Sequence, residues 1–136
     1  MDNGNLFSFF RRITEIPRDS GDEKEIAEYL LSFAEERGLE AVTDEVHNVV
    51  IRKPGTSGYE EAPAVVLQSH SDMVYIKSDD SSHDYQSPLK VVEKDGFLSA
   101  EGTSLGADNG IGMAMTLAIL DSADLSHPPL EALFTT

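Results

Sequence analysis

The sequence predicts an α/β layer fold, a mixed sheet flanked by helices. Three observations carry this. Apolar residues recur at helical spacing near the N-terminus and again after Gly102. Between these stretches lie short apolar runs of strand length, and clusters of Gly, Pro, Asp and Ser separate the runs. Alternation of helical and strand patterns indicates sheet and helix layers packed on each other.

The elements follow in order. Leu6, Phe9, Phe10, Ile13 and Ile16 form one helical stripe, and Pro17 stops it. Ser20 followed by Glu23 has the form of a capping box, the reciprocal side-chain cap of a helix start. Behind it Ile26, Leu30 and Phe33 form a second stripe, and Gly38 is placed to end that helix. "LEAVTDEV" and "NVVIRK" read as two strands with His47 and Asn48 at their turn. "PGTSGYEEAP" is a polar loop. "AVVLQSH", residues 64–70, is a continuous apolar run and is expected to be a strand buried on both faces. After the polar "SDDSSHDYQSP" comes a hairpin, "LKVVEKDGFLSAEG", turning at Asp95-Gly96. "ADNGIGMAMTLAILDSA" is apolar nearly all round and reads as a buried helix. Leu130 to Thr136 reads as a last strand.

Composition excludes several functions. The 136 residues suffice for one domain with a core. No cysteine is present, so disulfides and thiolate metal sites are excluded and a reducing compartment fits. A net charge of −15 opposes binding to nucleic acid or anionic membrane, and most of the acids are expected to be solvated surface. "MDNGNLFSFFRR" has neither the charge order nor the apolar length of a signal peptide. "IGMAMTLAIL" is about half a membrane span. A soluble cytoplasmic protein is expected.

Two constellations could carry chemistry. His70 and Asp72 are i and i+2 in a strand, so both point to one face. Asp72 can lie beside the imidazole as the hydrogen-bonding partner that metal-bound histidines usually have. A polar strand end facing water is the simpler reading of that pair alone. The second constellation is "GTSLGADNGIG", residues 102–112. Asp108 there has the ordinary reading of a helix N-cap. A cap does not require Gly106, Gly110 and Gly112 around it, and their crowding suggests that something sits against this backbone. A carboxylate can bridge two metal ions about 3.5–4 Å apart, and Asp108 is the candidate. His47 and His127 read as surface residues, and His83 as a structural hydrogen-bonding residue more than a substrate contact. No serine-nucleophile or phosphate-loop motif occurs.

The blocks "KPGTSGYEEAPAVVLQSHSDMV", "EGTSLGADNGIGMAMTLAIL" and "HPPLEALFTT" resemble metallopeptidase family M20, and within it the dipeptidases that cleave aminoacyl-histidine and other dipeptides. The likeness runs from "FFRRITEIPR" to the end. It implies that the chain is the N-terminal part, residues 1–136, of a zinc-peptidase catalytic domain. His70 would then be a zinc ligand and Asp72 the catalytic carboxylate that orients it. Asp108 would bridge two zinc ions, other divalent metals being possible, and Asn109 would follow it across a cis peptide. The implied reaction is hydrolysis of dipeptides by a metal-activated water. Ser71 stands where the family often has a bulky apolar residue, and Tyr75-Ile76 replaces a commoner pair before Lys77. The family's two consecutive glutamates, a general base and a ligand, and a further Asp and His lie beyond this sequence, as does a dimerising lid domain. The resemblance thus implies a homodimer for the full-length enzyme and no activity for this piece alone. The alternative from another class is a non-catalytic acidic α/β module that binds metal or a partner.

Overall fold

The computed structural model describes residues 3–136, with side chains from residue 5 onward. Met1 and Asp2, which belong to the stretch weighed as a signal peptide, lie outside the described residues. Two helices come first, α1 (Asn3–Thr14) and α2 (Lys24–Glu36). Strands β1 (Glu40–Thr43), β2 (Val49–Lys53) and β3 (Val65–His70) follow, then the hairpin β4 (Val91–Lys94) and β5 (Phe97–Ala100). The chain finishes with α3 (Ala107–Asp121) and β6 (Leu130–Thr135).

The main sheet has the order β1-β2-β6-β3. β1 pairs antiparallel with β2, and β2 with β6, whereas β3 runs parallel to β6. The sheet is therefore mixed, as expected. Its β6 alternates buried and half-buried residues, and Leu130, Ala132 and Phe134 point into the core with Val49 and Ile51 of β2. Against that face pack Phe10 and Ile13 of α1, Ile26, Leu30 and Phe33 of α2, and Met113 and Leu117 of α3. The period-2 pattern of the strands and the helical stripes meet in this one core.

Local chemistry explains the element ends. Gly38, at φ +63°, ends α2: its N–H donates to Glu35 O and that of Leu39 to Ala34 O, the paired bonds of a Schellman motif. Asp95 and Gly96 both have positive φ, as a two-residue type I′ hairpin turn requires. Lys53 closes the far end of α3, where its ammonium donates to Ile119 O, Leu120 O and Ser122 O.

Three expectations are corrected. The capping box does not form: α2 has no side-chain cap, Glu23 accepts from the Gly21 N–H, and Ser20 turns elsewhere. β3 is not buried on both faces. Among the described residues it is an edge strand of the sheet, with Val65 45% and Val66 55% exposed. An apolar run cannot reveal whether a strand has one neighbour or two. His127 is not a surface residue but 7% exposed, with its Nδ1 beside Pro128 O and its carbonyl accepting from Thr56. His83 does make structural bonds, to the Tyr75 hydroxyl at 2.8 Å and to Pro88 O at 3.2 Å.

Candidate metal centre

The site forms where β3 ends and α3 begins. β3 pairs with β6 as far as His70↔Thr135. Ser71 then turns inward, fully buried, and its N–H and hydroxyl both donate to Thr135 O. A bulky apolar residue at 71 could not make the hydroxyl bond, so the serine at this buried position is internally satisfied.

His70 sits between two carboxylates. Its Nδ1 is 3.0 Å from Asp72 Oδ1 and 3.2 Å from Asp72 O. Its Nε2 is 3.0 Å from Asp108 Oδ1. Asp72 is held in turn by the Ser20 hydroxyl, which donates to Oδ2 at 2.5 Å. Asp108 has no such support and its side chain is 96% exposed. The structure thus brings His70, Asp72 and Asp108 to one edge, and Asn109 follows Asp108 across a cis peptide.

The electrostatics follow from this geometry. Burial disfavours charge on His70, but the hydrogen bonds to Asp108 and Asp72 outweigh it and raise the imidazole above its ordinary pKa. Burial likewise opposes charge on Asp72, and the Ser20 and His70 bonds outweigh it and lower the carboxyl.

The glycine-rich entrance has a different cause from the one its crowding suggested. What lies against the backbone is the protein itself. A Cβ at Gly106 would meet Met73 Sδ at 2.5 Å and an Arg18 Nη at 2.6 Å, and one at Gly110 would meet the same Arg18 at 2.8 Å. A Cβ at Gly112 would collide with the Asn109 carboxamide, which accepts the Gly112 N–H. Gly106, at φ +69°, is also the N-cap, so Asp108 is not. Asp108 and Asn109 have non-helical dihedrals within the first turn.

Sequence reasoning missed Arg18, Ser20 and Met73. Arg18 is 1% exposed and donates to Ser71 O, Asp72 O and Gly106 O. The available signal was an arginine directly after Pro17, at the end of an apolar stripe, and that pattern reads equally as surface.

In chemical kind the pair His70 Nε2 and Asp108 fits a metal: an imidazole whose far nitrogen is tied to a carboxylate and whose Nε2 could exchange its proton for a metal, facing a second, exposed carboxylate. In number it is half a donor set, because among the described residues no group of three His, Asp or Glu converges as a metal site would require.

No family model matches the chain. It is 44% identical over 131 residues to the cytosol non-specific dipeptidase of Escherichia coli K12, an alignment covering 96% of this chain and 27% of that protein. The crystal structure of an aminoacylhistidine dipeptidase from Vibrio alginolyticus superposes with a TM-score of 0.93 at 41% identity, over 98% of this chain and 28% of that one. A dinuclear metal-binding peptidase of the M20 family from Bacillus subtilis shares the fold, at TM-score 0.57 and 17% identity, over 96% of this chain and 34% of that one. The fold is that of part of an α/β peptidase domain. The chain belongs to the M20 peptidases, and spans about a quarter of the length of the cytosol non-specific dipeptidase it matches.

Proposed function

We propose that this chain is the N-terminal part, residues 1–136, of the catalytic domain of a zinc-dependent cytoplasmic dipeptidase that cleaves Xaa-His and other dipeptides. The observation that carries this reading is the bridge from Asp72 through His70 to Asp108, with 3.0 Å on each side of the imidazole, in a chain 44% identical to a dipeptidase.

In this reading His70 would hold a metal through Nε2 and Asp108 through its carboxylate, able to reach two ions with its two oxygens. Asp72, held by Ser20, keeps the proton of His70 on Nδ1 and so leaves Nε2 free as a ligand. When bound, such ions polarise a scissile carbonyl and acidify a water. Asn109 turns its carboxamide onto the Gly112 N–H and keeps the first turn of α3 closed behind Asp108.

His70 and Asp108 supply two donors, where protein zinc sites have about three or four. Residues outside this chain would complete the set and take the proton of the attacking water. On this reading the chain alone is inactive, and the resemblance to the family implies a homodimer for the whole enzyme. The test compares dipeptide hydrolysis by the natural full-length protein and by residues 1–136, each with zinc and with a chelator. Zinc-dependent turnover by the full-length protein alone is expected. A full-length protein that binds zinc but cleaves no dipeptide would favour the non-catalytic binding module instead.

A further inference from the structure

Arg18 is among the largest fully buried side chains of the molecule. No carboxylate oxygen forms an ion pair with it among the described residues. Burying a cation without a paired anion is costly, and an apolar side chain would fill the same space more cheaply. The guanidinium instead donates to main-chain carbonyls on two different segments. One Nη meets Ser71 O at 3.1 Å and Asp72 O at 3.0 Å, and the other meets Gly106 O at 2.6 Å. The first two carbonyls directly follow His70, and the third lies two residues before Asp108.

The backbone around Arg18 is built in as well. Met73 N–H donates to Arg18 O at 2.9 Å and Ser20 N–H to Met73 O at 3.2 Å, so residues 18–20 run beside 71–73 like a short parallel strand. Gly106 and Gly110 lack the Cβ that would occupy the place of the guanidinium. One residue past Asp19, the Ser20 hydroxyl takes Asp72 Oδ2, which leaves Oδ1 for His70.

We propose that Arg18, assisted by Ser20, is the positioning residue of the metal-facing pair. Its planar fork fixes the end of β3 and the entrance of α3 at one separation, and that separation sets how far His70 stands from Asp108. The inference rests on reading that pair as metal donors. Burial lowers the Arg18 pKa to about 10, with Asp72 opposing the change, so the group remains cationic at neutral pH. A lysine could not replace it fully, because a single ammonium lacks the two-ended fork that spans both segments.

The experiment uses the natural full-length protein with cobalt(II) as the probe, read by its visible absorption spectrum and by titration calorimetry. The variants are Arg18→Met, Arg18→Lys and Ser20→Ala, each checked for folding by its melting transition. Arg18→Met is expected to fold, to bind cobalt about tenfold or more weakly, and to show a changed ligand-field spectrum. Arg18→Lys should recover part of the loss. Ser20→Ala, an exposed substitution, should weaken binding about two- to fivefold without moving the melting transition. Folded Arg18→Met with wild-type affinity and spectrum overturns the inference. Should Arg18→Met fail to fold, wild-type cobalt binding by both Arg18→Lys and Ser20→Ala overturns it equally. A wild-type protein that binds no cobalt instead overturns the metal reading itself and this inference with it.

Discussion

The two ends of α3 are built on opposite plans. At the exit, the chain satisfies itself. Lys53 donates to three of the carbonyls that a helix end leaves open, and Asp121 takes Arg37 Nε at 2.7 Å and the Asn5 amide at 2.7 Å. At the entrance no side chain caps the helix, two residues leave helical dihedrals, and the Asp108 carboxylate stands out into solvent facing His70. The exit spends its polar groups on holding the helix. The entrance leaves polar groups available, and the cost of arranging them falls on Arg18 underneath. On the proposed reading, the groups that face a metal are confined to one end of the helix and the groups that only hold it to the other.

That separation can be broken or sharpened by substitution. The largest effect is expected from Asp108→Asn in the natural full-length protein, with zinc affinity and dipeptide turnover each lowered about 100-fold or more. Its melting temperature should stay within a few degrees of wild type, because Asp108 is exposed and caps nothing. Next comes Gly106→Ala. It places a Cβ against Met73 and Arg18 at a positive φ, and should cost about 2 kcal/mol or more by denaturant titration. Because the clash is with Arg18, zinc binding should weaken along with stability. Lys53→Met at the other end should cost about 1–2 kcal/mol by freeing helix-end carbonyls, and leave zinc affinity unchanged. Loss of zinc affinity in Lys53→Met would erase the contrast between the two ends.

The smallest effects are in pH dependence, and the ends should differ in sign. Asp121 is lowered below its ordinary value, first by the Asn5 hydrogen bond, against some burial, and then by Arg37. Its contribution to stability is therefore present above pH 3.8 and lost as pH falls through the lower folded value. His70 is raised, so in metal-free protein its contribution is full below pH 6.5 and lost as pH rises through the higher folded value. Melting curves from pH 3 to 9 in chelator, with Asp121→Asn and His70→Gln as controls, should remove each dependence separately. Both groups are partly solvated, so shifts of only a few degrees are expected.

The sequence was informative where structure follows from local pattern. The stripes of α1 and α2, the Gly38 stop and the Asp95-Gly96 turn are consequences of neighbouring residues and are present, although α1 ends at Thr14 and leaves Ile16 outside the helix, ahead of the Pro17 stop. It also brought His70 and Asp72 together, although β3 ends at His70 and Asp72 reaches the imidazole from just past the strand. It misled where partners are distant in sequence. Ser20 and Glu23 have the spacing of a cap, but Ser20 bonds Asp72 instead. The exposure of β3 depends on strand order, to which an apolar run is blind. The glycine crowding at the start of α3 does mark a close approach, yet at Gly106 and Gly110 the occupant is Arg18, which the chain delivers from its first connecting loop. An arginine's burial is decided by tertiary packing alone, and nothing in "EIPRDSGDE" announces it.

The central claim is that His70 and Asp108 are donors to the same metal. Anomalous diffraction at the zinc edge, on crystals of the natural full-length protein grown with zinc, tests it most directly. The expected result is a peak about 2.0–2.2 Å from both His70 Nε2 and an Asp108 oxygen, with Asp72 on Nδ1 and not on the metal. A peak that includes His70 but leaves Asp108 unliganded, or a zinc-loaded site elsewhere with the 3.0 Å contact between His70 and Asp108 intact, would contradict it.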